Sequence, residues 1–257
     1  MKKLIGGALW QGGAYILLAI VWEAIARSGV FPEKLFPSLI TVFQTLWELL
    51  VNGIAWSNTE STLIRLVLGF LLAAVAGVVI GILMGRYRLA EDVLLPPVSF
   101  GYPIPGLAYA PLFVLWFGLG NTPAVLLVGA ASSFAVIINT WKGVKAVKPI
   151  WLRAAVMMGA QERQLFWKVI VPAALPYILT GLRLGLAQAW RILVAVEMLM
   201  AVDRGLGWMI FGARQFLATD VMLSGIIIIG VVGFVLERQV FERLERYTVV
   251  RWGMLTA

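Results

Sequence analysis

Long apolar runs, each about as long as a bilayer crossing, recur along the chain and are separated by short polar segments. A helix needs about 20 mainly apolar residues to cross the hydrocarbon core of a membrane. Six runs meet this requirement, and we expect spans at roughly 9–27, 62–85, 92–117, 123–141, 174–200 and 220–237. None shows the strict alternation typical of a barrel strand, so the pattern predicts an all-α integral membrane protein with six transmembrane helices.

The third run is rich in proline, with Pro96, Pro97, Pro103, Pro105 and Pro111. Proline lacks a backbone donor and clashes with the preceding helical turn, so this run should be broken into pieces. Irregular backbone at membrane depth persists only where protein or a water-filled cavity covers it. We therefore expect the segment inside the bundle, with Pro103 and Pro105 as candidates for lining a pathway.

Two shorter segments have a different pattern. Residues 37–52 place apolar side chains at helical spacing with Gln44 and Glu48 on the other face, which predicts an amphipathic helix on the outer surface. Residues 203–218 contain several glycines and Trp208, which indicates a second short external segment at the membrane interface.

Composition agrees with a membrane location and narrows the chemistry. The chain is 61% hydrophobic, more than one water-soluble core of 257 residues could bury. It contains no Cys and no His, and no P-loop occurs, so we expect no catalytic site, no metal site and no ATPase site in this chain. The N-terminal run resembles a signal peptide, but an uncleaved first helix is favoured because five more runs follow.

The net charge of +8 reflects topology rather than nucleic-acid binding, because Lys and Arg lie between and beside the apolar runs. With a cytoplasmic N-terminus, only Arg27, Lys34, Arg204 and Arg214 fall outside. The cytoplasmic side then receives a much larger group: Lys2, Lys3, Arg86, Arg88, Lys142, Lys145, Lys148, Arg153, Arg163, Lys168, Arg238, Arg243, Arg246 and Arg251. Six spans with both termini cytoplasmic fit this distribution.

The longest polar interruption, residues 142–173, predicts a pair of short helices. Pro149 should start the first, Gly159 should break it, and a second helix should end near Pro172. Apolar side chains facing outward would make a knob that another protein could hold. The alternative is a helix pair lying on lipid headgroups.

The same loop resembles the EAA loop of bacterial ABC importer permeases, whose form is E-A-A-x3-G-x9-I-x-L-P. Residues Arg153, Ala154, Ala155, Gly159, Ala160, Val169, Val171 and Pro172 keep its spacing. Arg153 replaces the motif Glu, and valines replace Ile and Leu. The segments RLVLGFLLAAVAGVVIGILMG, PLFVLWFGLG and VPAALPYILTGLRLGLAQAW extend the resemblance over about residues 35–240. They are similar to permeases of the nitrate/sulfonate/taurine importer group.

This resemblance implies a type I ABC importer permease fold in a bacterial cytoplasmic membrane. It implies two copies of the permease around a central pathway, and an external binding protein that delivers a small anionic nutrient. Two cytoplasmic ATPase subunits would bind ATP and Mg²⁺ and grip the loop, with Glu162 counted among its residues. Sulfonate or taurine, nitrate and bicarbonate are the expected substrates, although neutral vitamin precursors also occur among relatives.

Four charges fall within or near the predicted spans, where a lipid-facing charge is costly. Arg65 and Arg183 lie near span ends, so we expect their side chains to extend to the membrane surface. Arg191 and Glu197 are separated by about 9 Å of helical rise, too far for an easy pair. Arg191 either faces the pathway or pairs with another helix, and Glu197 is a pathway candidate that resembles a helix-bonding residue of the family.

No internal repeat relates the two halves of the chain, so residues 1–257 are expected to form a single domain that pairs with another chain. Secondary transporters usually build their site between two repeats of one chain. An ion-driven secondary transporter and a membrane anchor without transport activity remain the alternatives to an importer permease.

Overall fold

The computed structural model describes residues 2–200 and 202–241, and every element in those ranges is a helix. The C-terminal residues 242–257, with Arg243, Arg246 and Arg251, lie outside the described residues, and the cytoplasmic position of the C-terminus stays a prediction. The helices are α1 (Lys2–Arg27), α2 (Leu39–Val51), α3 (Ile54–Arg86), α4 (Arg88–Gly101), α5 (Ala110–Phe117), α6 (Asn121–Lys145), α7 (Pro149–Met157), α8 (Glu162–Leu165), α9 (Val171–Leu199), α10 (Leu206–Gln215) and α11 (Thr219–Val235). A 3₁₀ turn occupies Gly106–Tyr109, and π-helical turns occupy Phe166–Ile170 and Leu236–Phe241.

The centre of the molecule is a close parallel seam between α3 and α6. Small residues recur every fourth position along α3, at Gly69, Ala73, Gly77, Gly81 and Gly85, and face α6. A Cβ added at Gly77 would lie 2.5 Å from the Cβ of Val136, and one at Gly85 would lie 2.5 Å from that of Val144. Small residues let two membrane helices approach closely, and here they do so along α3 from Gly69 to Gly85.

Helix α9 runs antiparallel to this pair and completes the core. Gly143 of α6 contacts Tyr177 near the start of α9, whereas Gly185 contacts Val136 further up α6. Leu66, Leu127 and Leu193, from the three helices, are almost completely buried in one cluster. The bundle therefore has two ends, which we call the α7 end and the α10 end after the short helices found there.

The third apolar run is broken as the prolines predicted. Helix α4 ends at Gly101, and the 3₁₀ turn with α5 continues at an angle of 98° to it. Pro103 and Pro105 lie at this bend. The expectation that the segment lies inside the bundle is wrong for the single chain, because both prolines and most of α5 are exposed. Only a few residues of the segment, such as Val98 and Ala110, are buried.

The amphipathic segment at 37–52 is confirmed as a helix, and the segment at 203–218 contains a second short helix, α10, whose position on the external side stays a prediction. Helix α2 is capped by the Ser38 hydroxyl, which accepts a hydrogen bond from the Thr41 amide, and it packs through Val42 on the bundle. Helix α10 packs against α9 and α11 with Leu206 and Ile210 buried, while Trp208 on its other side is exposed. The apolar residues of α10 recur at helical spacing, so this segment forms a helix although it contains glycines that also occur in turns.

Four described helices are long and apolar enough to cross a membrane: Ile54–Arg86, Asn121–Lys145, Glu162–Leu199 and Thr219–Gln239. The bent pair Arg88–Gly101 and Gly106–Phe117 would make a fifth crossing. Helix α1 is long, and near its C-terminal end Glu23 accepts from the Leu39 amide and the Trp22 indole stacks on Phe36. Six spans therefore remain a prediction.

Candidate functional site

The predicted knob at the α7 end is a helix with a specific C-terminal cap. Pro149 starts α7 as predicted, where a missing amide hydrogen costs nothing. At the other end the Gly159 amide donates to Val156 and the Ala160 amide donates to Ala155, with Gly159 at φ +82°. These two bonds form a Schellman cap. In this cap the left-handed residue, Gly159, lies four positions after Ala155, the earlier of the two acceptors along the chain. The A-x3-G spacing of the motif thus encodes a helix end.

The outer face of α7 is apolar and open. Met157 and Met158 are 89% and 81% exposed, and Ile150, Trp151 and Val156 are also exposed. Ala155 is buried against the following helical segment, whereas Arg153, Ala154 and Gly159 face outward. Methionine side chains are flexible and polarizable and suit protein contact surfaces.

The second half of the loop does not end at Pro172, which corrects the predicted helix boundary. Helix α8, the π-helical turn and α9 form one continuous helix over Glu162–Leu199. The amide of Val171 donates to the Phe166 carbonyl, five residues back, and this widened turn precedes Pro172. A π-helical turn changes the hydrogen-bond register, so the helix can pass a proline that lacks a donor. Val169, Val171 and Pro172 are half buried on this helix.

Ion pairs join the loop to the bundle at the α7 end. Arg86, at the end of α3, lies 3.3 Å from the exposed carboxylate of Glu162, and Lys145 pairs with Glu91 of α4. Exposed pairs of this kind stabilise little on their own. They place the loop beside the ends of α3 and α6, among the basic residues that the sequence assigned to one side.

Arg191 lies on an exposed stripe of α9 together with Thr180, Leu184 and the half-buried Gln188, at helical spacings of three and four. Its guanidinium makes no hydrogen bond or ion pair with the residues that the structure describes. Arg191 also lines a groove of about 80 Å³ between α9 and residues 233–237, together with Arg183, Trp190 and Glu237. Arg183 lies 3.9 Å from Glu237.

Glu197 is not on that stripe, and the structure places it in a buried cluster at the α10 end. Its carboxylate is 1% exposed and accepts from Arg65 at 2.6 Å, from the Thr62 hydroxyl at 3.0 Å and from the Gly207 amide at 2.9 Å. Arg65 is also buried, which corrects the expectation that its side chain extends to the membrane surface. A buried carboxylate provides the reason, because it pairs the arginine inside the protein.

Three polar residues of this cluster escaped the sequence analysis. Asn58 accepts from the Gly205 amide, Thr62 accepts from the Leu206 amide, and Asn121 accepts from Arg65. Asn58, Thr62 and Arg65 lie on one face of α3 at spacings of four and three. That polar stripe at the start of an apolar helix was the available signal.

Comparison with known proteins identifies the family. A family model described as "Binding-protein-dependent transport system inner membrane component" matches residues 77–241, which include the loop at 142–173, the bent pair and α9. The chain belongs to this family.

Several relatives are named as permeases of transport systems. The taurine transport system permease protein TauC of Escherichia coli K12 is 38% identical over 230 residues, which cover 88% of this chain and 83% of that protein. SsuC of Bacillus subtilis 168, named for aliphatic sulfonates transport, is 37% identical over 95% of this chain and 88% of that protein. The bicarbonate transport system permease protein CmpB of Synechococcus elongatus is 31% identical over 92% of this chain and 88% of that protein.

Solved structures support the fold. A chain from an inward-facing conformation of the MetNI methionine ABC transporter aligns with a TM-score of 0.63 at 20% identity, covering 79% of this chain and 98% of that chain. A chain of an amino acid ABC transporter solved with histidines aligns equally well, with a TM-score of 0.63 at 20% identity over 80% of this chain and 97% of that chain. The fold of this inner membrane component is thus the fold of ABC importer permeases.

Proposed function

We propose that this chain is the permease subunit of an ATP-driven importer for a small anionic nutrient, and that two copies form the pathway. The whole chain would act as one membrane domain with six crossings, counting α1 as the first and the bent pair as the third. The α7 end would face the cytoplasm, because most of the described Lys and Arg residues outside the bundle lie there.

The observation that carries this proposal is the capped, outward-facing helix α7 in a chain of this family. It presents exposed Met157 and Met158 beyond the basic end of the bundle. An exposed apolar knob on a rigid cap suits a protein partner better than water. We assign that partner as the cytoplasmic ATPase, which would bind ATP and Mg²⁺ since this chain has no P-loop.

The proposal of an anionic substrate rests on Arg191 and on the relatives. Taurine, aliphatic sulfonates and bicarbonate, named for three relatives, each carry a negatively charged group. Arg191 offers a guanidinium that pairs with none of the described residues, on an exposed stripe of a spanning helix, where a charge without function is costly. Pro103 and Pro105 are exposed at the bend of the third span and are proposed to border the same pathway.

Reconstitution tests this function. The permease, its cognate ATPase and its binding protein would be placed in proteoliposomes, and uptake of labelled taurine, an alkylsulfonate, nitrate and bicarbonate would be measured with and without ATP. We expect ATP-dependent uptake of one of these anions that requires all three proteins. Uptake by the chain alone along an ion gradient would instead indicate a secondary transporter, and ATPase binding without any uptake would indicate a membrane anchor.

A further inference from the structure

The buried cluster around Glu197 joins four helices through side chains and backbone amides. Glu197 belongs to α9, Thr62 and Arg65 belong to α3, and Asn121 is the first residue of α6. The fourth helix, α10, takes part through its amides, since Gly207 donates to Glu197 and Leu206 donates to Thr62. One set of contacts therefore fixes the relative positions of α3, α6, α9 and α10.

Helix α10 depends on this cluster for its N-terminal cap. The first amides of a helix have no partner within the helix and need acceptors from elsewhere. The residue at the cap position is Gly205, which has no side chain to offer, and its own amide donates to Asn58. Residues of α3 and α9 thus supply the acceptors, and a carboxylate at this position is also favoured by the helix dipole.

Two glycines allow the start of α10 to lie close to α9. A Cβ at Gly205 would lie 2.5 Å from the Glu197 carboxylate, and one at Gly207 would lie 2.2 Å from the Val194 carbonyl. Gly205 also has φ +154°, which other residues rarely adopt. The backbone at the start of α10 is therefore shaped to fit this carboxylate.

The cluster borders a cavity of about 720 Å³ at the α10 end. Asn58 and Glu197 line one wall, and Trp208, Phe211 and Gln215 of α10 line another. Breaking the cluster would leave a charged carboxylate and a charged guanidinium buried without partners, which is strongly unfavourable. A cavity wall held in this way is unsuited to opening and closing.

We propose that the cluster keeps α10 fixed to α3 and α9 throughout the transport cycle, with Asn58 and Thr62 as positioning residues for this wall. This inference rests on the proposed ATP-driven function. Access to the pathway then changes at surfaces that the cluster does not hold, such as the exposed stripe of α9, while α3, α6, α9 and α10 move as one body.

Hydrogen exchange of the amides at Gly205–Gly207 tests the proposal in the reconstituted complex. These amides should be protected equally in the resting state and during ATP-driven turnover. Thr62→Val removes the acceptor of the Leu206 amide at similar side-chain volume, and should speed its exchange about tenfold in both states. Uptake per ATP hydrolysed should fall by a similar factor, because the wall is no longer held.

Matched variants separate positioning from loss of folding. Thr62→Ser keeps the hydroxyl and should restore both protection and uptake per ATP. Asn58→Leu leaves the ion pair of Arg65 and Glu197 intact, so it provides a second variant if Thr62→Val fails to assemble. It should speed exchange of the Gly205 amide and lower uptake per ATP in the same way.

Two results would overturn the proposal. One is faster exchange at Gly205–Gly207 when the wild-type complex turns over, which would show that the cluster opens in each cycle. The other is normal uptake per ATP in variants whose amides are deprotected. Absence of ATP-driven uptake by the wild type would instead contradict the proposed function, and the resting-state comparison of Thr62→Val with Thr62→Ser would still test the capping role.

Discussion

At the scale of single residues, the backbone angle of Gly159 explains why glycine occurs at this point of the loop. A Cβ added there would meet nothing within 4 Å, so space within the chain does not require glycine. The residue has φ +82° at the cap of α7, and a residue with a Cβ pays about 1–2 kcal/mol in that region. Gly159 thus closes the C-terminal end of α7 and sets the direction in which the chain turns towards α8.

Substitution of Gly159 should uncouple the ATPase without affecting membrane insertion. Gly159→Ala should strain the α7 cap by about 1–2 kcal/mol, and Gly159→Asn should cost less because Asn tolerates the left-handed region. Gly159→Asp adds a charge at the proposed contact surface and should abolish co-purification of the ATPase and ATP-driven uptake.

Gly29 provides a matched control for this series. It has φ +73° and open space around its Cα, but it lies in the loop between α1 and α2. Gly29→Asp should leave ATPase binding unchanged. Normal ATPase co-purification and uptake in Gly159→Asp would show that this loop is not the coupling element.

Arg191 is the second residue whose role can be tested alone. Arg191→Met keeps length and removes the charge, so the half-saturating substrate concentration for uptake should rise by roughly tenfold to a hundredfold, as expected for loss of a charge-assisted hydrogen bond. Arg191→Lys should retain most of the affinity. The measurement is initial uptake rate against substrate concentration, with ATPase co-purification as the check on assembly.

The control for Arg191 is removal of an arginine elsewhere. Arg88 is 93% exposed at its side chain and lies at the start of α4, away from the α9 stripe. Arg88→Met should leave the half-saturating concentration unchanged. If Arg191→Met inserts poorly or loses the ATPase, Arg191 is a structural residue and the pathway assignment fails.

At the scale of elements, the seam between α3 and α6 determines how closely the core helices approach. The added Cβ at Gly81 would lie 2.6 Å from the Thr140 Cβ, much as at Gly77 and Gly85. Lipid chains are as apolar as leucine, so dense packing rather than the hydrophobic effect holds such helices together.

Alanine at Gly77 should therefore destabilise the protein although alanine favours helix. The new methyl group would overlap Val136, and overpacking of a dense core costs about 1–3 kcal/mol. Gly230 of α11 is exposed with nothing within 4 Å, so Gly230→Ala should be neutral or stabilise by up to about 1 kcal/mol. Thermal unfolding in detergent should show opposite shifts.

The double variant Gly77→Ala/Val136→Ala tests whether overlap with Val136 causes the destabilisation. Removing the valine methyls should recover part of the loss, so the two substitutions should couple rather than add. Additive losses would show that the seam is not the reason for the destabilisation.

Local chemistry in the sequence predicted the elements well. Pro149 marks the start of α7, the proline cluster marks the bend after α4, and apolar spacing marks α2. Each depends on a few neighbouring residues, whose effects on the backbone do not need the rest of the fold. Pro172 misled the prediction because a widened turn just before it lets the helix continue.

Tertiary partners could not be predicted in the same way. Glu197 pairs with Arg65, which is 132 residues away, and its other partner Gly207 offers only a backbone amide. Periodicity places a charge on a helix face but does not identify the helix that it meets. The glycines at four-residue spacing on α3 were visible in the sequence, but their partner α6 was not.

At the scale of the whole molecule, the two ends of the bundle differ in charge. Arg86, Lys145 and Lys148 lie at the α7 end with the other loop cations, whereas Lys34 and Arg214 lie at the α10 end. Cytoplasmic loops of membrane proteins carry an excess of Lys and Arg. The α7 end is therefore the proposed cytoplasmic end, where ATP is available to a partner.

Single-cysteine labelling tests this orientation, and the absence of native cysteine makes every signal specific. Asn52→Cys precedes α3 at the α10 end, Leu119→Cys lies between α5 and α6 at the same end, and Lys148→Cys lies at the α7 end. All three positions are exposed. In intact cells a membrane-impermeant maleimide should label Asn52→Cys and Leu119→Cys, and it should label Lys148→Cys only after permeabilisation, with the cysteine-free chain as the blank.

Labelling at Leu119 but not Asn52 would mean that α3 and the bent pair do not both cross, because two crossings between these sites must return the chain to the same side. Labelling of Lys148→Cys in intact cells would show that the α7 end faces outward. A cytoplasmic ATPase could then not reach α7.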